Sequence, residues 1–249
     1  GSVFTSFNSS ASPSYVTPNT NRSEYSTELS IKDRVQLSDT TSVWAGLRNV
    51  AYNRSSVQNE HTDQTVLYPY PDLYPNAKQF TGSINVPWVG VSTHWMGMMT
   101  YASHGHGVEQ FVTPNTASYG PNAGTQLGIG RSRQTEVGLR SLPIKNHFEW
   151  NAAIFEISRP YAHDLFDGPN YSTRYIDGTQ THQGLDLGAS WRSSAWKLGA
   201  QAQWLNAKLT GVQQSPGTVG STPLNVPKFV LRGMAEYRYS SIPGLRTGV

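Results

Sequence analysis

The sequence predicts an all-β chain, the wall of an antiparallel transmembrane β-barrel, and three observations point there. Segment after segment alternates apolar and polar residues with period two, the repeat of a strand with two unlike faces. Tight turns and long polar connections follow one another in strict alternation. Asp39-Thr40, Gly90-Val91, Ile144-Lys145, Ser193-Ser194 and Pro243-Gly244 fall in tight turns; residues 58–77, 105–131, 159–178 and 211–226 form the long connections. Soluble domains seldom carry several structureless loops of that size, whereas outer-membrane barrels gather them at one rim. Finally, Arg48, Arg140 and Arg232 share parity with small or polar neighbours, opposite aliphatic and aromatic residues. An Arg on the lipid face near mid-bilayer costs about 2–4 kcal/mol, so these three should face the lumen.

The elements follow in order. Residues 2–22, rich in Ser, Asn, Thr and Pro, read as irregular loop. From Tyr25, the residues Leu29, Ile31, Val35 and Leu37 oppose Glu28, Ser30, Lys32, Arg34 and Gln36, with Asp33 the exception on the apolar parity. After a turn at Ser38-Asp39-Thr40-Thr41, the residues Val43, Ala45, Leu47 and Ala51 oppose Gly46 and Arg48. In the third strand Phe80, Ile84, Val86 and Trp88 form the apolar set against Thr81, Ser83 and Asn85. Val89 to Thr93 is then a short connection, and a strand from about His94 to His104 returns. Val137 and Leu139 oppose Glu136, Gly138 and Arg140; the strand from His147 to Ser158 mixes both parities. Leu185, Leu187, Ala189 and Trp191 oppose Asp186, Gly188 and Ser190, and Leu198, Ala200, Ala202 and Trp204 oppose Gly199, Gln201 and Gln203. Last, Phe229, Leu231, Ala235, Tyr237 and Tyr239 oppose Arg232, Glu236 and Arg238, and Leu245 begins a tenth strand.

Composition agrees. Charged residues are 14% of 249, below the roughly 25% of soluble domains. Seven Trp, 13 Tyr and 23 Gly suit tight turns and interfacial aromatics. A mean hydropathy of -0.47 argues against a helical membrane protein but not a barrel, whose strands alternate. The absence of Cys excludes disulfides and thiolate metal sites. A net charge of +3 with no Lys/Arg run gives no nucleic-acid footprint. Nine strands and the start of a tenth, with open edges that lipid does not tolerate, lead us to expect that residues 1–249 are one partial barrel domain of a larger barrel. A soluble β-sandwich also alternates, but has no need to collect its long connections at one end.

Several stretches, taken in order, resemble the C-terminal half of TonB-dependent outer-membrane siderophore receptors. They are Ile31 to Leu37 (IKDRVQL) with Ser42 to Arg48 (SVWAGLR), Tyr101 to Gln110 (YASHGHGVEQ) and Ser132 to Arg140 (SRQTEVGLR). Ala152 to Ile157 (AAIFEI), Thr181 to Leu187 (THQGLDL), Asn206 to Gly211 (NAKLTG) and Asn225 to Lys228 (NVPK) complete the set. The resemblance implies a barrel of about 22 strands with a plugged lumen, in the cell outer membrane. It implies uptake of a ferric siderophore or related chelate, and energy coupling to TonB through a plug. The plug and the final strands are expected to be absent from this chain. In the Tyr101 to Gln110 stretch His104 and His106 depart from the family pattern. Resemblance supplies this mechanism; composition and spacing supply only the barrel and its loops. A passive porin and a barrel enzyme are the competing readings.

Candidate ligand-binding residues lie in the long connections. His104 and His106, two residues apart, point one way if extended, which suits a metal ion at the rim; only Glu109 is near enough in sequence to join them, and the plainer reading is a polar loop start. Tyr68, Tyr70 and Tyr74 alternate with prolines in one loop, and Tyr161, Tyr171, Arg174 and Tyr175 crowd another. Aromatic faces and a guanidinium suit an anionic ferric chelate, although such aromatics also pack loops together. Arg48, Glu136, Arg140, Asp186, Arg232 and Glu236 read as a luminal charge lattice. Asp164 and Asp167 read as solvated or turn-capping rather than paired acids. No Gly-x-Ser-x-Gly elbow supports a hydrolase, and no catalytic set or cofactor is expected.

Overall fold

A computed structural model describes residues 20–58, 78–114, 119, 122–142, 147–166, 171–242 and 244–249. They form one antiparallel sheet: β1 (Thr20–Gln36), β2 (Thr41–Gln58), β3 (Lys78–Trp95), β4 (Met98–Val112), β5 (Gln126–Ser141), β6 (Phe148–Phe166), β7 (Ser172–Arg192), β8 (Trp196–Thr210), β9 (Phe229–Arg238) and β10 (Arg246–Gly248). Each strand pairs with its neighbours in sequence, and β1 and β10 are the two edges among the described residues. The wall is a single layer. Leu29, Ile31, Ile154 and Leu231 are 76, 73, 60 and 66% exposed, which in water would be a large loss of apolar burial and in lipid is none.

Register shows which residues share a face. Ile31, Leu47 and Pro87 are directly paired, as are Val137 with Ile154 and Leu187 with both Ala152 and Ala202, all on the outer face. Aromatic pairs bracket that apolar band: Trp196 against Tyr237 at 4.8 Å on the tight-turn side, and Trp204 against Phe229 at 4.9 Å above. Trp196 and Trp204 are separated by about 26 Å along the strand, which after tilting fits an apolar band of about 25 Å with its girdles.

Two tight turns close on a serine. Ser38 Oγ accepts the N–H groups of Thr40 (3.3 Å) and Thr41 (3.1 Å), and Ser193 Oγ those of Ala195 (3.3 Å) and Trp196 (3.0 Å). The β3–β4 turn differs from expectation. It lies at Met96-Gly97, both with positive φ (47 and 75°), the two-residue hairpin turn that matches strand twist. Val89 to Thr93 is strand, not connection.

The reason is a change of phase within β3. Val89 and Val91 are outward, but Phe80, Ile84, Val86 and Trp88 are on the opposite, luminal face, and Val86 is fully buried there. The alternation of these four with Thr81, Ser83 and Asn85 therefore marks a luminal apolar set, opposite in phase to the lipid-facing one. Above Leu47 the wall has left the lipid, so its outer face turns polar. Asn49 Nδ2 donates to Asn85 Oδ1 (2.8 Å) and Asn53 Nδ2 to Thr81 Oγ1 (3.3 Å) on that surface. The strands also run further than expected: the β6–β7 connection shrinks from 159–178 to 167–171, and β4–β5 from 105–131 to 113–125.

Candidate functional site

The luminal face of the wall is built from flat aromatics and charge. Trp88 lies over Gly46, Trp44 over Gly90, Tyr101 over Gly138 and Phe155 over Gly184, each ring on its direct cross-strand partner. A Cβ at any of these glycines would strike the ring, so glycine lets a large side chain lie along the wall instead of projecting into the bore. Around them runs the expected charge lattice. Tyr101 donates to Glu136 (2.5 Å), Gln203 to Asp186 (2.8 Å), Arg48 pairs with Glu28 (3.3 Å) and Arg246 with Glu236 (3.5 Å). Arg140 reaches only Met99 Sδ (3.4 Å), and among the described residues neither it nor Arg232 has a carboxylate partner. Two hollows open here. One of about 410 Å³ lies between Arg140, Asn151, Gln201 and Arg232; one of about 1060 Å³ is lined by Lys32, Arg34, Trp44, Trp88, Tyr101 and Arg140. A hollow shared by strands from β1 to β6 makes this face concave.

At the long-loop end the hairpins overlap. The ladder between β3 and β4 stops at Trp88–Gly105, and that between β5 and β6 at Arg133–Ser158. Above those rungs β4–β5 folds over the luminal face of β2 and β3. Ile129 sits where a Cβ of Gly82 would come within 3.1 Å, and Val50, Tyr52, Arg54 and Val86 are buried beneath. Pro160 of β6 in turn lies 3.0 Å from a Cβ position on Gly130. Each returning strand bears a one-residue bulge at this height, between the pairs Gln110–Ile129 and Val112–Gln126 in β5 and between Pro160–Thr179 and Ala162–Ile176 in β7. Gly128 (φ +118°) and Gly178 (φ +88°) occupy them. Such bulges bend and twist a strand, which turns the blades inward.

The overlapped tips are tied by charge. Arg174 Nε and Nη2 donate to the two oxygens of Asp164, both at 2.7 Å, while Nη1 donates to the Val112 carbonyl (2.9 Å) and the guanidinium lies 5.9 Å from the Tyr119 ring. Arg174 holds the Asp164 carboxyl below the usual carboxylate range, with Tyr119 adding a hydrogen bond; burial, then that carboxylate, push the Tyr119 phenol up. On the other side, Asp177 accepts the N–H groups of Gln213 (3.0 Å) and Gln214 (2.7 Å), which lowers its pKa as well. Hairpin β6–β7 thus grips the connections on both flanks.

A family model for the TonB dependent receptor-like β-barrel matches residues 1–248. The chain belongs to that family. Its members are outer-membrane receptors and transporters. Solved structures share the fold of this TonB-dependent barrel chain. The siderophore receptor PiuA of Acinetobacter baumannii superposes with a TM-score of 0.66 at 16% identity, over 92% of this chain and 33% of its own. BauA, the ferric preacinetobactin receptor of the same organism, gives 0.62 at 22% identity over 88% and 30%. Fiu, a ferric-catecholate import receptor of E. coli K12, gives 0.66 at 14% over 88% and 33%. The chain therefore spans about a third of the length of these receptors. No protein of curated function matches it in sequence.

Among the described residues, the sequence-predicted site residues of this TonB-dependent barrel chain do not converge on one place. Tyr68 and Tyr70 lie outside the described residues. His104 and His106 are in β4 rather than in a loop, on the face that continues Ala102 and the outer surface below. Their rings meet edge-on at 5.3 Å, and His104 Nδ1 is 2.7 Å from Thr135 Oγ1. Among the described residues no group of three or more His, Cys, Asp or Glu could hold a metal ion. Tyr161, Arg174 and Tyr175 belong to strands β6 and β7, again not to a loop. Tyr161 stacks on His163 at 5.5 Å, and Tyr175 pairs with His163 in register on the same face. The Arg174 fork is already occupied. Reading by sequence missed Gln126, His163 and the Asp164–Arg174 pair; the only sequence signal was opposite charge ten residues apart across a short polar segment.

Proposed function

We propose that this chain is part of the barrel of an outer-membrane receptor that takes up a ferric siderophore or similar metal chelate. The whole protein would have about 22 strands, with a plug in its lumen that couples to TonB. The observation that carries the reading is the lipid-exposed, single-layer wall with a charged concave face, which follows the fold of siderophore receptors along most of its length. Binding and release then depend on loop and plug movement, and no bond in the cargo need break. Tyr161 and Tyr175, which share one face of the β6–β7 hairpin with His163, and Tyr68 and Tyr70 are the residues proposed to face an anionic chelate through their rings. Arg174 serves them indirectly by bracing the strands that carry two of them.

Growth under iron starvation, with single siderophores supplied to strains with and without the full-length gene, tests this. At least one chelate should lose its growth benefit on deletion. Unchanged use of every chelate, together with steady ion conductance of the purified protein in planar bilayers, would instead support a passive pore.

A further inference from the structure

We propose that Asp33 is one half of an ion pair on the lipid face of the wall. Its partner is an outward-facing arginine or lysine on the strand that pairs with the free edge of β1 in the whole barrel. The inference rests on the reading of this sheet as part of a larger barrel, but not on the cargo. Asp33 interrupts the outward set of Leu29, Ile31, Val35 and Leu37, all of them exposed. It lies midway between Leu29 and Leu37, four residues from each, so its carboxylate stands in the middle of the apolar band.

No side chain on its own side of the sheet answers that charge. The outward neighbours are Ile31 and Val35 along β1, Ala45 directly opposite, Val43 and Leu47 on the diagonals, and Val89 beyond Ala45. Lys32 and Arg34 take the other parity and face the lumen. Among the described residues Asp33 enters no ion pair. Its Oδ1 instead accepts the Arg34 N–H at 2.7 Å. Leu37 N–H donates to the Thr41 carbonyl (2.9 Å), so odd-numbered residues of β1 turn their amides to β2 and Arg34 turns its own to the free edge. The carboxylate therefore leans toward that edge. Lipid does not tolerate an open edge, so a strand pairs there. A carbonyl of that strand takes the Arg34 amide, and the displaced carboxylate needs a donor from the same strand. The opposing Cβ lies about 5 Å away, within easy reach of a cationic side chain. Ionisable groups inside a membrane are expensive and occur paired. Such a pair also fixes register, since a slip of one residue turns the cation to the lumen and leaves Asp33 alone in lipid.

The test is reversible denaturation of the full-length receptor in phosphatidylcholine vesicles, where the sign of one substitution decides. Asp33→Val replaces the carboxylate with a side chain that lipid prefers. If the ion pair exists, the change strands a cation near mid-bilayer, and the folding equilibrium constant should fall about thirtyfold or more. Asp33→Glu keeps the charge and should recover most of that loss. An Asp33→Val receptor as stable as the native one, or more stable, overturns the pair. Should Asp33→Val not fold, Asp33→Asn carries the test, since it also removes the charge; unchanged stability there overturns the pair equally. Ile31→Asp, at the next outward position of β1, tests the wall on its own and should destabilise the receptor. If Ile31→Asp costs nothing, the lipid-facing wall fails and the pair falls with it. If Ile31→Asp is costly while Asp33→Val is not, the wall stands and the pair alone fails.

Discussion

Asp164 sits in a strand that reads from sequence as a polar loop, and its role follows from what it touches. Both its oxygens accept from one guanidinium, which fixes Arg174 so that its remaining nitrogen meets the Val112 carbonyl. The pair is partly exposed, at 26 and 34%, so its contribution is modest, about 1 kcal/mol. Asp164→Asn should then lower hydrogen-exchange protection of the Thr113 amide, which donates to the Thr125 carbonyl at 2.9 Å, by about fivefold. Acid should act the same way. The folded carboxyl titrates below its unfolded value of about 3.9, so the stabilisation is complete above that pH and is lost as pH falls through the lowered value. Equal protection in the native and Asn proteins at pH 7 would remove Asp164 from the account. Sequence showed this residue as one acid among several, because a pairing that depends on strand extension is invisible until the strand is known to continue.

At the scale of elements, the glycine bulges decide where the hairpins bend. Gly178 has φ +88°, and a Cβ there would come within 2.7 Å of both the Thr210 carbonyl and Val212 Cγ2. Gly178→Ala therefore meets both backbone strain and a clash, a cost of about 2 kcal/mol or more. It should loosen the contact of Asp177 with Gln213 and Gln214, seen as limited proteolysis near Gln213 in the variant and none in the native protein. Gly128→Ala has open space around it and should cost only the strain, about 1 kcal/mol. Identical behaviour of the two variants would mean that crowding at Gly178 is not what holds the β8–β9 connection. In β3 the alternation itself is legible, but its phase slips where the strand leaves the bilayer. A slip of phase and a tight turn look alike in one dimension, which is why Val89 to Thr93 reads as a connection.

For the whole molecule, the lipid-facing band is the feature on which the fold depends. Leu187, flanked by Ala152 and Ala202 on the outer face near mid-band, is the place to test it. Leu187→Arg should destabilise the folded barrel in phospholipid vesicles by about 2–4 kcal/mol in reversible denaturation, whereas Gln201→Arg on the luminal face should stay within about 1 kcal/mol. Equal costs on both faces would contradict a membrane-spanning wall. The strand count, the antiparallel order and the outward Leu and inward Arg sets were legible in the sequence, because lipid and water impose opposite demands on alternate residues and mark them one by one; the family was legible only through the resemblance of its ordered motifs. Where the hairpins go above the bilayer was not, since there both faces meet protein or water and alternation loses its fixed meaning. Only the tertiary structure brings Arg54 and Arg174, 120 residues apart in sequence, onto the same rung, Val112–Gln126, because that meeting depends on two glycine bulges turning separate hairpins inward.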